Sequence, residues 1–217
     1  FGWLGRHRHY LGLPGTARHT ELLFGTRSAV ASPCLQGRLG DLCGRLPPPS
    51  DNPSRLLSDH SLFHYFTAFQ TSSTIKMAKH DLIEDGGAKA FMKLGLAAFC
   101  VSARQTALRV CPECHRHQSC AVGIPTWLRS HQLPGSLVCS VHGLPLVTIP
   151  LRERGRHEFL CPPMDAPAQT PPAWNEGQRK ILWEIACRQA SLLDGTDRIR
   201  ELHEWLPHYR ELLASRA

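Results

Sequence analysis

Two pairs of residues with metal-binding side chains stand at matching spacings in the middle of the chain. Cys111 and Cys114 are separated by two residues, as are Cys139 and His142, and 24 residues lie between the pairs. A two-residue gap lets a tight turn direct both side chains at one ion, so each pair supplies half of a tetrahedron. Four protein ligands leave no open coordination position. The spacing therefore predicts one structural zinc ion.

A redox-active Cys-x-x-Cys is the alternative for the first pair. It would not need a matching second pair, and it would favour a strand-to-helix context, which the sequence does not suggest. Other donors crowd the same stretch and are interpreted as outer partners of the metal or as surface residues: His115, His117, Cys120 and His131. A second zinc that uses these, or Cys161, is less favoured, because no second evenly spaced set of four exists.

Motifs typical of enzymes do not occur in the sequence. It has no phosphate-binding glycine loop, no Gly-x-Ser-x-Gly, no His-Glu-x-x-His and no acidic cluster for two metals. A metal-dependent or redox enzyme would need an open zinc position or a reactive Cys111 thiolate. We therefore expect a binding function.

The charge balance favours an anionic partner. The 217 residues include 25 Lys and Arg against 18 Asp and Glu, a formal charge of +7. Such an excess fits nucleic acid, with a solvated basic surface as the alternative. The candidate phosphate contacts are arginines near the start, in the central block and in a basic run: Arg6, Arg8, Arg129, Arg152, Arg154 and Arg156. Arg129 is equally compatible with a contact inside the fold.

The cysteines and the hydropathy predict a reducing, cytoplasmic location. Nine cysteines at irregular spacings, without a secretion signal, argue against a disulfide framework. No apolar run approaches the roughly 18 residues of a membrane span. Phe1 lies inside a predicted helix, so we expect the native chain to be longer. Four cysteines among apolar residues are interpreted as small buried hydrophobic residues: Cys34, Cys43, Cys100 and Cys187.

The hydrophobic periodicity and composition around the two pairs predict a mainly α fold with three regions. Residues 1–105 form a helical region, 106–150 an irregular module stapled by zinc, and 151–217 a basic and Pro-rich linker followed by helices. Gly135 and Gly143 allow the turns that the module needs.

The sequence predicts where the N-terminal helices begin and end. Helices are predicted over 1–11 and 16–24, with Thr16 as N-cap and Gly25 as terminator. They form either a helix-turn-helix or an ordinary helical hairpin. An apolar stripe predicts another helix between Leu35 and Leu46. Further helices are predicted over 53–66, 73–84, 86–94 and 175–193, with a last one from Thr196 that Pro207 breaks or kinks.

Three ordered pieces carry a family resemblance. They are Leu-Arg-x-Cys-Pro-x-Cys at 108–114, Trp-x-Arg-x-His-Gln-Leu-Pro-Gly at 127–135 and Cys-x-x-His-Gly-x-Pro-Leu at 139–146. In this block the chain resembles the TniQ/TnsD family of transposition proteins. The segments Trp3–Arg6 and Asp59–Leu62 extend the resemblance, which covers roughly residues 1–150. The chain departs from the family in the loop 115–126, where it has these residues: His115, His117 and Cys120.

The resemblance implies a non-catalytic adaptor that selects the insertion site of a transposon in the bacterial cytoplasm. Such proteins bind a fixed attachment site on DNA or an RNA-guided CRISPR effector of the Cascade type. They recruit an AAA+ ATPase regulator, which brings the transposase. The alternative is a zinc-dependent DNA-binding transcription regulator, which would bind its operator without an ATPase.

The shared block also contains residues with two interpretations. Trp127 and Leu133 are predicted to form a small core against the zinc. His131 and Gln132 are then predicted to satisfy backbone groups. In the other interpretation Arg129, His131 and Gln132 face DNA or a partner.

Overall fold

The computed structural model of the protein describes residues 1–13, 15–96, 107–151, 155–165, 172–195, 206–207, 210–211 and 213–214, and helices form about half of these residues. The N-terminal region contains α1 (Gly2–Leu11), α2 (Thr16–Phe24), α3 (Leu39–Cys43), α4 (Pro53–His60), α5 (Phe63–Thr67), α6 (Ser72–Glu84) and α7 (Ala88–Lys93). The remaining elements are β1 (Ala107–Val110), α8 (Pro112–Val122), a 3₁₀ helix (Arg129–Gln132), β2 (Val147–Pro150) and α9 (Glu176–Asp194). The mainly α fold class is confirmed.

The first two helices end where the sequence predicted, but α1 begins at Gly2 with Phe1 as its N-cap, so Phe1 does not lie inside the helix as predicted. Gly12 and Gly25 end α1 and α2 in left-handed backbone conformations. The prediction that Thr16 is the N-cap of α2 was wrong, because the extended residue that precedes the helix is Gly15. The two helices meet through their imidazoles, with His7 Nδ1 and His19 Nε2 3.2 Å apart. Both the helix-turn-helix and the ordinary helical hairpin stay predictions for this pair.

Two helices predicted as continuous are shorter than the apolar periodicity suggested. The stripe from Leu35 is buried, but only Leu39–Cys43 is helical, because Arg38 takes a left-handed conformation with φ 59°. The predicted helix over 53–66 divides at Ser61, whose backbone is extended. The Ser61 hydroxyl donates to the Leu57 carbonyl and accepts from the Phe63 amide. This side chain thus replaces the helical hydrogen bonds and starts α5.

The turn between α6 and α7 is fixed by a buried carboxylate. Gly87 ends the turn at φ 83°, a conformation that disfavours side chains. Asp81, only 4% exposed, accepts a hydrogen bond from the Ala90 amide at 2.5 Å. A carboxylate at a helix N-terminus satisfies an orphan amide and interacts favourably with the helix dipole. The two helices separated by Gly86 and Gly87 are confirmed.

The main hydrophobic core draws on all three regions of the sequence. It is built mostly from α1 to α7 and is completed by Leu133, Phe159 and Leu193 from later in the chain. Cys34 and Cys43 are buried in it as predicted, Cys187 is half-buried, and Cys100 lies outside the described residues. The boundary predicted at 105/106 also lies outside them.

The central region is more regular than the sequence suggested. Strands β1 and β2 form an antiparallel pair in which Leu108 faces Ile149 and Val110 faces Val147. These four side chains and Trp127 make a small second core. β1 ends where α8 begins, so the first metal-binding pair stands at the start of a helix, whereas the second pair lies in the turn that precedes β2.

The C-terminal helix α9 begins and ends as predicted. Asn175 and Gln178 exchange hydrogen bonds as a capping box, and Gly195 ends the helix. The helix predicted from Thr196 falls largely outside the described residues. Of the helices that the structure describes, none is both long and apolar enough to cross a membrane.

The imidazole pair predicts an acid-sensitive fold. Burial, followed by the charges of His7 and Arg8, lowers the pKa of His19 to about 4. Burial also lowers the pKa of His7. Both rings gain protons more readily in the unfolded chain. The contribution of the two neutral rings to the free energy of unfolding is therefore complete above about pH 6.5, and it is lost as the pH falls towards 4.

We expect the free energy of unfolding to fall by about 3 kcal/mol across that window on account of His19. Urea unfolding at a series of pH values measures this. His19→Gln should flatten the slope, whereas His9→Gln, at an exposed position of the same region, should keep it. An unchanged slope in His19→Gln would contradict the assignment.

Candidate metal centre

The structure brings together the two predicted pairs of ligands. The three sulfurs of Cys111, Cys114 and Cys139 and one ring nitrogen of His142 all lie within 4.8 Å of one another. The three cysteines are buried and the histidine is half-buried. The pairs are far apart in sequence, so this cluster depends on the tertiary fold.

The first pair is positioned by the start of α8. Cys111 follows β1 directly and is the N-cap residue, and Pro112 occupies the first helical position. The Cys111 carbonyl accepts from the His115 amide, which sets the first turn and directs Cys114 to the same side. A strand-to-helix context is therefore present, and the sequence argument that it is missing was wrong. The matching second pair remains the argument against a redox site.

The second pair is positioned by a tight loop. The Cys139 amide donates to the Leu144 carbonyl and the Gly143 amide donates to the Cys139 carbonyl, both at 2.8 Å. Gly143 has φ 64°, a left-handed conformation that L side chains rarely adopt. Gly135 also has a positive φ, so both glycines act at turns as predicted.

The spacing between ligand atoms fits a tetrahedral zinc site. Zinc bonds of about 2.3 Å to sulfur and about 2.0 Å to nitrogen imply S···S separations near 3.8 Å and S···N separations of about 3.5 Å. The Sγ atoms of Cys114 and Cys139 are 3.7 Å apart. His142 Nδ1 lies 3.6, 3.3 and 3.7 Å from the sulfurs of Cys111, Cys114 and Cys139. The cluster can hold one metal ion, and its donor set suits zinc.

The crowded sulfurs perturb one another. A hydrogen bond between Cys111 and Cys139, followed by burial, raises the pKa of Cys111. The same hydrogen bond lowers the pKa of Cys139. Burial, followed by the charge of Cys139, raises the pKa of Cys114 to about 11. The three thiols therefore do not all ionise together near neutral pH, whereas a bound divalent cation stabilises thiolates.

The neighbouring donors are dispersed around this centre. The His117 ring meets the His142 ring edge-on, with centroids 5.6 Å apart, and its Nε2 is 3.2 Å from Glu113. His115 Nε2 donates to the Pro163 carbonyl, and Cys120 is exposed. Burial raises the pKa of Cys161 to about 11. Within the part of the chain that the structure describes, these donors do not assemble a second cluster of three.

The loop that follows α8 joins the metal centre to the rest of the molecule. Trp127 and Leu133 are buried, but the prediction that they form one small core against the zinc was wrong: Trp127 packs in the second core and Leu133 in the main helical core. Gln132 accepts from the Arg109 amide and donates to the carbonyls of Arg109 and Leu128, as predicted. His131 does not satisfy a backbone group, because neither ring nitrogen has a hydrogen-bond partner.

Arg129 fastens this loop to two distant helices. Its guanidinium donates to the Ser58 and Ser61 carbonyls at the end of α4 and lies 2.7 Å from the Asp194 carboxylate at the end of α9. Arg109 plays a similar part, with a half-buried guanidinium that donates to the Leu133 and Ser136 carbonyls. Sequence reasoning missed Arg109, because one arginine in an apolar strand carries no signal of such contacts.

The other arginines predicted to touch DNA fall into two groups. Arg6 donates to the Ile124 carbonyl at 2.9 Å, and Arg8 pairs with Glu158 at 2.7 Å. Arg156 is exposed, while Arg152 and Arg154 lie outside the described residues. Contact with DNA stays a prediction for all of them and for Arg129.

Comparison with known proteins gives one match. A family model described as TniQ matches residues 1–146, which includes the N-terminal helices and the four ligand residues. No curated protein matches the chain.

A single ligand substitution should empty the centre. We expect Cys111→Ser to lower bound zinc from one ion per chain to a small fraction and to promote aggregation, because folding of the central region depends on the metal. Elemental analysis of freshly purified protein measures the metal content. Cys34→Ser replaces another buried cysteine and should keep full occupancy. A wild type without zinc, or equal losses in both variants, would refute the ligand assignment.

Loss of the Arg129 clamp should destabilise the metal-loaded fold. Hydrogen bonds to charged groups contribute about 1.5–3 kcal/mol each, so we expect Arg129→Ala to cost about 2 kcal/mol or more. Denaturant unfolding measures this. Arg116 pairs with Glu113 at the surface, and Arg116→Ala should change stability little. Equal effects of the two substitutions would show that Arg129 does not fasten the helices.

Proposed function

The chain belongs to the TniQ family, and from this we propose that it is a target-selection adaptor in DNA transposition with a structural zinc ion. The match over residues 1–146 carries the proposal, because it spans the helical region and the whole ligand set. TniQ-family proteins are non-catalytic transposition proteins associated with target selection. The expectation of a binding function without enzymatic activity agrees with this family.

The zinc assignment is supported by chemistry as well as by family. Three thiolates and an imidazole are soft or borderline donors, which zinc accepts in closed four-coordinate sites. We propose that Cys111, Cys114, Cys139 and His142 hold the ion. With no open position, the ion would shape the protein and would not activate water or substrate.

An adaptor must present separate surfaces in a fixed relation. The fastening of the central loop to α4 and α9 through Arg129 supports such rigidity.

On one side of the metal centre lies a surface of exposed apolar side chains, which we name the knuckle surface: Val141, Leu144 and Trp183. The Trp183 indole donates to the Ser140 carbonyl at 2.9 Å, which seats it against the ligand loop. Exposed apolar groups of this kind suit a protein partner.

We assign the knuckle surface to the AAA+ ATPase regulator, which in turn brings the transposase. For the DNA side, we propose phosphate contacts by Arg156 together with Arg152 and Arg154. A DNA contact by Arg6, Arg8 or Arg129 would use a guanidinium group that already makes hydrogen bonds within the fold. The target itself is either a fixed DNA site or a Cascade-type RNA-guided effector, and binding assays against each distinguish the two.

The basic run should show itself in the salt dependence of DNA binding. We expect alanine at positions 152, 154 and 156 to weaken DNA binding and to reduce the slope of log affinity against log salt by about one unit per lost contact. Fluorescence titrations over a range of salt measure both. A control with the same change in net charge replaces three exposed basic residues elsewhere: Arg27, Arg55 and Lys89. Identical slopes in the two variants would show that the basic run is only a solvated surface and does not contact DNA.

Recruitment of the ATPase tests the adaptor role. We expect the wild type to retain the regulator on target DNA in a pull-down and Val141→Glu to lose it while keeping its zinc. Val141 is 75% exposed, and Met92 on α7 is 70% exposed, so Met92→Glu is a matched control that should bind normally. A wild type that binds operator-like DNA but never the ATPase would instead support the transcription-regulator alternative.

A further inference from the structure

The imidazole of His131 is the most conspicuous polar group that the four-ligand site leaves unexplained. The residue is 2% exposed, and neither Nδ1 nor Nε2 has a hydrogen-bond partner. Buried polar side chains normally have at least one partner, so an exception in a native fold requires an explanation. The adjacent Gln132, equally buried, shows the usual pattern, with bonds to the backbone of Arg109 and Leu128.

His131 lies on the 3₁₀ helix that borders the metal centre. Its backbone amide donates to the Leu128 carbonyl within the 3₁₀ helix. Leu128 packs against the cluster formed by the three ligand cysteines. The imidazole is close enough to Cys139 to add to the lowering of that thiol's pKa, after the larger effect of the Cys111 hydrogen bond.

The chemistry of a metal-bound cysteine supplies the missing partner. A coordinated cysteine is a thiolate and accepts hydrogen bonds, whereas a neutral imidazole carries one N–H donor. The Cys139 sulfur already interacts with the backbone amides of Val141 and His142. A side-chain donor would complete its surroundings, and His131 is a buried donor that acts on this sulfur and has no other acceptor.

We propose that His131 is a positioning residue of the metal centre, which donates a ring N–H to the Cys139 thiolate. This bond would tie the metal to the 3₁₀ helix, whose neighbouring residues Arg129 and Leu133 reach α4, α9 and the main core. The inference goes beyond the role in transposition and depends only on the metal centre.

Three substitutions separate hydrogen bonding from packing. We expect His131→Leu, which keeps an apolar side chain but removes the donor, to weaken metal binding by about 10- to 100-fold. Asn and Gln place an amide N–H near the positions of Nδ1 and Nε2, so one of His131→Asn and His131→Gln should recover most of the affinity. Competition with a chromophoric chelator, on the full chain loaded with cobalt(II), measures the affinity and reports tetrahedral coordination from the same spectrum.

Two results of this series would overturn the proposal. Unchanged affinity in His131→Leu would show that the donor is not used. Equal weakening in all three variants would show that the residue only fills space.

A measurement on the wild type covers the case in which His131→Leu fails to fold. In protein loaded with ¹¹³Cd, we expect a scalar coupling between the metal nucleus and the His131 ring proton, transmitted through the N–H···S bond. The ¹¹³Cd chemical shift reports independently whether three sulfurs and one nitrogen bind the metal. A spectrum with that coordination but without the coupling, and with a rapidly exchanging His131 proton, would refute the bond.

Discussion

The crowding of three buried sulfurs and one imidazole nitrogen within 4.8 Å is the constraint on which the central region depends. Thiols placed so close together perturb one another's pKa, and a bound cation would stabilise their thiolate forms. The apolar core beside them is small, with four side chains from the paired strands β1 and β2 and Trp127. Such a core does not by itself hold a fold of this size, so a metal that binds both pairs would determine the shape of the region.

The metal centre matters to the rest of the molecule because the loop after α8 extends from it in three directions. Arg129 reaches the ends of α4 and α9, Gln132 bonds to the backbone of β1, and Leu133 enters the helical core. The Arg129 contacts join segments that are separated by 65 or more residues in the sequence, and Gln132 reaches β1 over 23 residues. A protein of the TniQ family that must hold a target and its transposition machinery in one arrangement benefits from such a rigid junction.

The sequence predicted what local chemistry determines and missed what tertiary contacts determine. The ligand pairs, the helix ends at Gly12 and Gly25 and the limits of α9 near Asn175 and Gly195 follow from spacing and backbone preference, and the structure places them as predicted. The break at Ser61 depends on one hydroxyl, and the shortened α3 depends on a left-handed Arg38; neither changes the apolar period. The roles of Arg109 and Arg129 depend on carbonyls far away in sequence, which no local pattern contains.

The central claim is that one zinc ion, held by three cysteines and one histidine, organises the region that the TniQ match includes. X-ray absorption at the zinc edge of the purified full chain tests this most directly, because it counts and identifies the bonded atoms. The account predicts three sulfurs at about 2.3 Å and one nitrogen at about 2.0 Å. A first shell dominated by oxygen or nitrogen, or an open position filled by water, would contradict it.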